Sequence, residues 1–236
     1  MPRSEKPVRP QSARRGVNGR GSARSSVPAG RRDAARSAAV VLAAGGATRM
    51  GRAKQVLAFR GEPLVRRAVN AALEAGVDHA IVVVGAHHSH VRDALAGVRA
   101  QLVENPEWSD GIGTSIRAGA TAALDLGAER VVIMLADQPL VDRASVARLL
   151  VAQHATGMPI VASRYLGTVG VPALFSGPCA LLLRQLTPGE GCKGLIARQT
   201  DRTHVVDCPE AGVDVDTPDD YRRVLDEADP VPFRAR

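Results

Sequence analysis

Aromatic side chains are scarce in this chain, with one Trp, two Tyr and three Phe among 236 residues. Any core must therefore be assembled from Ala, Val, Leu and Ile. The three cysteines, Cys179, Cys192 and Cys208, are odd in number and contain no C-x-x-C pair. That argues against a disulfide framework or a zinc knuckle and fits a reducing compartment, so a cytoplasmic protein is expected. No apolar run approaches the roughly 18–20 residues needed to cross a bilayer. The first residues also lack the apolar stretch of a secretory signal.

Charge is present but unevenly placed. The net charge is +7 overall. Residues 1–37 hold ten basic side chains (nine Arg and Lys6) against Glu5 and Asp33, which is +8. The remaining 199 residues are left with 21 basic and 22 acidic groups, which is −1. A nucleic-acid-binding domain would carry its basic footprint on a folded face, so the whole chain is not read as one. Residues 1–37, rich in Arg, Ser, Gly and Pro, cannot offset their own ordering entropy and are expected to be a disordered extension. A nucleic-acid arm, an organellar transit peptide and a start placed too far upstream are the other readings. Residues 38–228 are expected to form one domain, large enough for a core without staples, and 229–236 a short tail.

The periodicity of that domain is of one kind. Apolar runs at 38–44, 80–84, 101–104, 130–136 and 160–165 read as strands. Amphipathic or Ala-rich segments alternate with them: a helix opened by Pro63 and stopped at Gly76, a short one near 91–95, then 114–126, 142–154 and a last one at 218–228. Shorter elements surround Leu174–Phe175 and Val205–Val206. Fully apolar strands between helices predict an α/β fold with a mostly parallel sheet in a three-layer α/β/α arrangement. Ligands of such sheets sit beyond the carboxyl ends of the strands, which directs attention to the loops after residues 44, 84, 104, 136 and 165.

The first of these loops is the most informative. It reads Leu42-Ala43-Ala44-Gly45-Gly46-Ala47-Thr48-Arg49-Met50-Gly51-Arg52-Ala53-Lys54. Its glycines allow backbone N–H groups to approach an anionic ligand, and Arg49 and Lys54 add fixed positive charge. Gly46-x4-Gly51 continues as Arg52-Ala53, so it is not a Walker A loop. A dinucleotide G-x-G-x-x-G fingerprint is also missing, which weighs against a nicotinamide oxidoreductase. Asp137 follows the fourth apolar run, where a carboxylate can hold Mg²⁺ beside phosphate oxygens or simply cap a turn. Asp214 and Asp216, two residues apart, face the same side of an extended segment. They either share a cation or cap the helix opened by Pro218, for which Thr217 is an equally good cap.

The segment L-A-A-G-x-x-x-R-M-G-x-x-K resembles the signature of the MobA-like nucleotidyltransferases that mature molybdenum cofactors. Later segments are similar in the same order: Asn105-Pro106-Glu107-Trp108 with Gly111, Gly113 and Ser115; Leu135-Ala136-Asp137-Gln138-Pro139; Gly170-Val171-Pro172-Ala173-Leu174-Phe175; Gly189 to Leu195; and Asp214-Val215-Asp216-Thr217-Pro218-Asp219-Asp220. Together they span about residues 39–227. The resemblance implies attack of an acceptor phosphate on the α-phosphorus of a nucleoside triphosphate, with pyrophosphate leaving. It implies Arg49 and Lys54 as catalytic cations, and nucleotide contacts from Leu42, Ala43, Ala44, Gly45, Arg49, Gly51, Lys54, Asn105, Gly111 and Ser115. Mg²⁺ would be held by Asp137, Asp216 and Asp214, and the acceptor by Gly170, Pro172 and Lys193.

Guanylyl-transferring relatives read L-A-G-G at the loop start and cytidylyl-transferring ones A-A-G. Ala44 therefore favours CTP, with molybdopterin as acceptor and a molybdoenzyme as a possible downstream partner. The alternatives are GTP or another phosphorylated acceptor, or a non-catalytic cofactor-binding assembly factor. Neither a membrane nor a specific nucleic acid is expected as a partner. Ala47, Val171 and Lys193 depart from the family pattern, and Lys193 exchanges a bidentate guanidinium for a point charge. The run His87-His88-Ser89-His90 reads as solvated loop, Cys192 lacks an assignable base, and Trp108 either packs on the loop or stacks on a ring.

Overall fold

The computed structural model describes residues 35–46, 50 and 53–228. The expectations for residues 1–34 and 229–236 lie outside these. Among the described residues the elements run β1 (Ser37–Ala43), β2 (Ala58–Phe59), β3 (Glu62–Pro63), α1 (Leu64–Glu74), β4 (His79–Val84), α2 (His88–Ala94), β5 (Gln101–Glu104) and α3 (Ile112–Asp125). They continue as β6 (Arg130–Leu135), α4 (Arg143–Thr156), β7 (Ile160–Tyr165), β8 (Thr168–Ser176), α5 (Pro178–Leu182), α6 (Cys192–Arg198), β9 (Thr203–Asp207) and α7 (Pro218–Ala228).

Seven strands form one sheet in the order β5-β4-β1-β6-β8-β7-β9, in which β8 alone runs antiparallel to its neighbours. The expected mostly parallel, three-layer architecture is what the chain adopts. Side chains alternate across the sheet, so each strand feeds two cores. From β1, Ala39, Val41 and Ala43 meet α1, α2 and α4 through residues such as Val69, Val91 and Leu149. Ala38 and Val40 meet α3, α5 and α6 on the other face, through Ile116, Ala180 and Leu195. Burial on both faces is why these strands read as unbroken apolar runs. It also explains the tolerance for few aromatics, since α3 lies so close to the sheet that a Cβ on Gly119 would come within 2.2 Å of Val40 Cγ1.

Three features differ from the sequence expectation. Ser37, placed with the extension, is buried and begins β1. The region near Leu174 is a nine-residue strand. Its register with β7 slips between Ala162 and Ser163, leaving Val171 and Pro172 as the extra residues. Pro172 has no N–H to give the ladder, and a bulge is where a sheet accepts that. The β2–β3 hairpin and the short helices α5 and α6 had too few periodic residues to be legible.

Helix α4 shows how the elements end. Asp142 accepts from the Ser145 backbone N–H at 2.9 Å and the Ser145 hydroxyl caps in return, while Gly157 closes the helix in the left-handed region at φ 66°. Burial pushes the Asp142 carboxyl upward, but the hydrogen bonds from Ser145 outweigh it and hold the group below the ordinary carboxylate value. Because the folded value is depressed, its stabilisation is present above the unfolded value near ~3.9 and is lost as pH falls through the folded value. Asp142→Ala should therefore lower unfolding free energy by about 1 kcal/mol at pH 7. Urea unfolding repeated below about pH 3 should show that difference shrinking.

Candidate active site

The connections on either side of β1 reach opposite halves of the sheet: α1 carries the chain from β1 to β4, and α3 returns it from β5 to β6 on the other side of β1. The strand order reverses there, which leaves a crevice beyond the carboxyl ends of β1 and β6. A cavity opens at that place. It is lined by Leu42, Ala44 and Gly45 from the β1 end, Lys54 and Gln55, Trp108, Ile112 and Ser115, and Leu135, Ala136 and Asp137 from the β6 end.

Lys54 and Asp137 line this cavity. The Lys54 ammonium lies between two carboxylates, 2.5 Å from Asp137 Oδ2 and 2.7 Å from Asp216 Oδ1, the latter lining a second cavity with Asp214 and Asp220. The three groups come from distant segments. Lys54 opens a 3₁₀ turn over Lys54–Val56, Asp137 follows β6, and Asp216 precedes α7. The Val215 N–H donates to the Asp137 carbonyl at 2.9 Å, tying the two acidic loops together. Val215 is fully buried, so Asp214 and Asp216 on either side of it turn outward, as their spacing predicted. Thr217 makes the helix cap with Asp220: the Asp220 N–H donates to the Thr217 hydroxyl, and the Thr217 N–H and hydroxyl donate to the Asp220 carboxylate. Asp216 is thereby left to face Lys54.

The electrostatics follow from this packing. Burial alone would lower the Lys54 pKa, but Asp137 and Asp216 more than compensate and raise it above the ordinary value. Lys54 is thus a fixed cation. Partial loss of solvent pushes the Asp214 carboxyl up to about 6, with the Asp137 and Asp216 charges adding to the rise and a hydrogen bond with Gln138 opposing it. Asp214 stands beside the pair without joining the Lys54 contact. Among the described residues no group of three His, Cys, Asp or Glu side chains converges as a metal site. Asp137 Oδ1 is buried without a hydrogen-bond partner. Two carboxylates drawn onto one cation, with a spare oxygen on one of them, are donors that would suit a hard divalent ion.

The start of the glycine-rich loop is braced by Gln55, which the sequence did not single out, and by His87, which the sequence placed in a solvated loop but which precedes α2 here. Gln55 Nε2 donates to the Gly45 carbonyl at 2.7 Å, and His87 Nε2 lies 3.1 Å from the Gly46 carbonyl. The His run is therefore partly a strut. Trp108, half-buried, both packs and lines the cavity. A Cβ on Gly46 would stand 3.0 Å from its ring, and one on Gly85 would stand 2.7 Å from both its Cγ and the Ala44 carbonyl. No periodicity or motif marks Gln55 or His87; only the folded loop shows their use.

The other expected residues are distributed unevenly. Arg49 and Gly51 lie outside the described residues, and Ala43 belongs to the β1 end. Ser115 lines the cavity, but the buried Asn105 spends its amide on the Thr114 and Ser115 hydroxyls, at 2.9 and 3.0 Å. It fastens the start of α3. Gly111 and Gly113 allow the Thr187–Gly191 segment to close on that start, since a Cβ would meet Pro188 O at 2.3 Å and Thr187 O at 1.9 Å. Lys193 is exposed on α6, next to this segment. Gly170 and Pro172 sit in β8, with Gly170 packed under the Tyr165 hydroxyl and the Pro172 carbonyl accepting from Ser163. The three cysteines are buried and free, and burial pushes the Cys192 thiol up to about 12, which makes it inert.

The switch-point cavity, lined by Lys54 and Asp137 with Asp216 against the same ammonium, sits on the fold of a nucleotidyltransferase. Over residues 39–203 the chain belongs to the MobA-like NTP transferase domain family. It is 31% identical to the purine catabolism protein PucB of Bacillus subtilis, across 78% of this chain and 94% of PucB. It is 29% identical to the nicotine blue oxidoreductase of Paenarthrobacter nicotinovorans, across 79% of this chain and 95% of that one. Among solved structures, Rv0371c of Mycobacterium tuberculosis superposes with a TM-score of 0.70 at 33% identity, covering 81% of this chain and 98% of that one. A manganese complex of the same protein matches with a TM-score of 0.62.

Trp108 is the single tryptophan and lines the cavity, so entry of a nucleotide should change the intrinsic emission of the protein saturably. Gly85→Ala, which displaces the Trp108 ring or the Ala44 carbonyl, should weaken that titration about tenfold while leaving the folded far-ultraviolet spectrum intact.

Proposed function

We propose that this protein is a Mg²⁺-dependent CTP:molybdopterin cytidylyltransferase of molybdenum cofactor maturation, working in the cytoplasm. The observation that carries the nucleotidyl-transfer reading is the Lys54–Asp137–Asp216 arrangement, in which Lys54 and Asp137 line the β1–β6 cavity. An oxygen of the acceptor phosphate forms a bond to the α-phosphorus of CTP, the bond from that phosphorus to the β-bridging oxygen breaks, and pyrophosphate leaves. Such a reaction needs no enzyme nucleophile. It needs two polyanions held in line and the charge on the leaving group neutralised.

Lys54 supplies a fixed positive charge at the phosphates, with Arg49 proposed beside it from the sequence. Asp137 and Asp216 are the residues that would hold the metal, and Asp214 tunes the field around them. When bound, the divalent ion supplies charge neutralisation at the phosphate oxygens. Manganese in the Rv0371c complex supports a divalent site in this family. CTP is favoured by Ala44, which is buried against the cavity and whose carbonyl accepts from the Ala86 N–H at 3.2 Å. Gly170, Pro172 and Lys193 remain the proposed acceptor side.

A second reading, an oxidoreductase, is favoured by the name of one relative. The loop after β1 lacks the dinucleotide fingerprint, which counts against a nicotinamide cofactor. An NTP panel with molybdopterin and other phosphorylated acceptors, scored by pyrophosphate release, separates the readings. CTP with molybdopterin is expected to release most. GTP outrunning CTP would overturn the base assignment. Nucleotide saturation without pyrophosphate would make the protein a binding factor, and oxidation of NADH or NADPH without pyrophosphate would install the redox reading. In the same assay Lys54→Ala should lose more in kcat than in KM.

Lys54 also occupies the place between the carboxylates that a cation would take. Lys54→Met should therefore raise Mn²⁺ affinity in the absence of nucleotide by about tenfold, read by electron paramagnetic resonance. A fall in affinity would show that Lys54 does not compete for that place.

A further inference from the structure

Gln55 holds an unfilled acceptor in the nucleotide cavity. The residue is only 2% exposed, and it sits in the 3₁₀ turn between Lys54 and Val56. Its amide orientation is set by chemistry: the Gly45 carbonyl can only accept, so the NH₂ must face it, at 2.7 Å. Oε1 is then turned to a place where no donor among the described residues reaches it. A buried carbonyl oxygen without a donor is uncommon in a folded protein and calls for a partner. Gln55 lines the same cavity as Ala44, Gly45 and Ser115, so the partner can be a ligand.

The chemistry of the ligand selects which part of it. Triphosphate oxygens only accept, and so does an acceptor phosphate once ionised. Donors on a nucleotide belong to the nucleoside: the exocyclic amine of the base and the ribose hydroxyls. We propose that Gln55 Oε1 accepts a hydrogen bond from the nucleoside half of the substrate, making Gln55 a specificity-determining residue. The same side chain then does two jobs. Its NH₂ fixes the glycine-rich loop, and its oxygen reads a donor on whatever that loop binds. A site with a buried acceptor rejects analogues lacking the donor far more strongly than an apolar pocket rejects a change of size.

The inference rests on the nucleotide reading of the cavity and is tested apart from turnover. Dissociation constants by calorimetry would be compared for CTP, its 4-deamino analogue, 2′-deoxy-CTP and 3′-deoxy-CTP, on the full chain and on Gln55→Met. In the wild type one analogue is expected to bind about tenfold more weakly than CTP, and which one it is identifies base or ribose as the donor. In Gln55→Met, CTP and that analogue should bind within about twofold of each other. Loss of the loop brace weakens both ligands alike and leaves their ratio unchanged, so an unchanged ratio overturns the proposal.

Gln55→Lys, which keeps a donor for Gly45 but has no acceptor, should collapse the ratio in the same way and serves if Gln55→Met does not fold. A loss of Mn²⁺ binding without nucleotide in either variant would instead make Oε1 a cation ligand and overturn the proposal. Absence of binding by every nucleotide to the wild type would sink the nucleotide reading itself, a result distinguishable from all of these.

Discussion

The contact on which the rest of the site depends is the ammonium of Lys54 shared between Asp137 and Asp216. A lysine between two carboxylates at 2.5 and 2.7 Å is a strong local attraction in a partly desolvated place. It is also the only described point at which the β1 loop, the β6 loop and the segment before α7 are drawn to one atom. Removing the positive charge would leave two carboxylates facing each other in a place short of water. That is a costly state unless another cation enters. On the proposed reading, the same geometry marks where a divalent ion and a triphosphate would settle.

Around that contact the protein is built for close approach rather than bulk. Glycines at 46, 85, 111 and 113 each stand where a Cβ would meet a ring or a carbonyl at 3.0 Å or less. Gly46 and Gly85 seat Trp108, which lines the cavity, against the first loop, and Gly111 and Gly113 seat the 187–191 segment against the start of α3, which lines it through Ile112 and Ser115. The loop carbonyls are then spoken for by Gln55 and His87. The Gly45 and Gly46 positions are thereby held before any ligand arrives, and that reduces the ordering cost of binding there.

How much of this was readable beforehand follows from which forces leave a pattern in sequence. Strands such as β1, β4 and β6 are buried on both faces, and burial writes itself as an apolar run. Asp137 was found because it follows such a run, and Asp214 and Asp216 because a spacing of two places side chains together. Gln55 and His87 were not found, since their partners are backbone carbonyls and any residue offers one. Strand β8 shows in the sequence only as a short element around Leu174, because its bulge at Val171 and Pro172 interrupts the pattern. Asn105 was matched to a nucleotide-binding motif, yet its amide is committed to Thr114 and Ser115. A motif records which residues a site needs without saying which touch the ligand and which hold those that do.

The charge distribution makes sense in the same light. A catalyst for polyanions could have been expected to carry a positive body, but the basic excess lies in residues 1–37 and the remainder is close to neutral. Around the Lys54 ammonium two acidic groups outnumber the one lysine. A triphosphate approaching this contact alone would meet net negative charge at short range. On the proposed reading, a divalent ion held by Asp137 and Asp216 would offset both carboxylates and leave Lys54 as a surplus cation. Nucleotide and metal would then favour each other's binding, an effect set by the placement of three side chains.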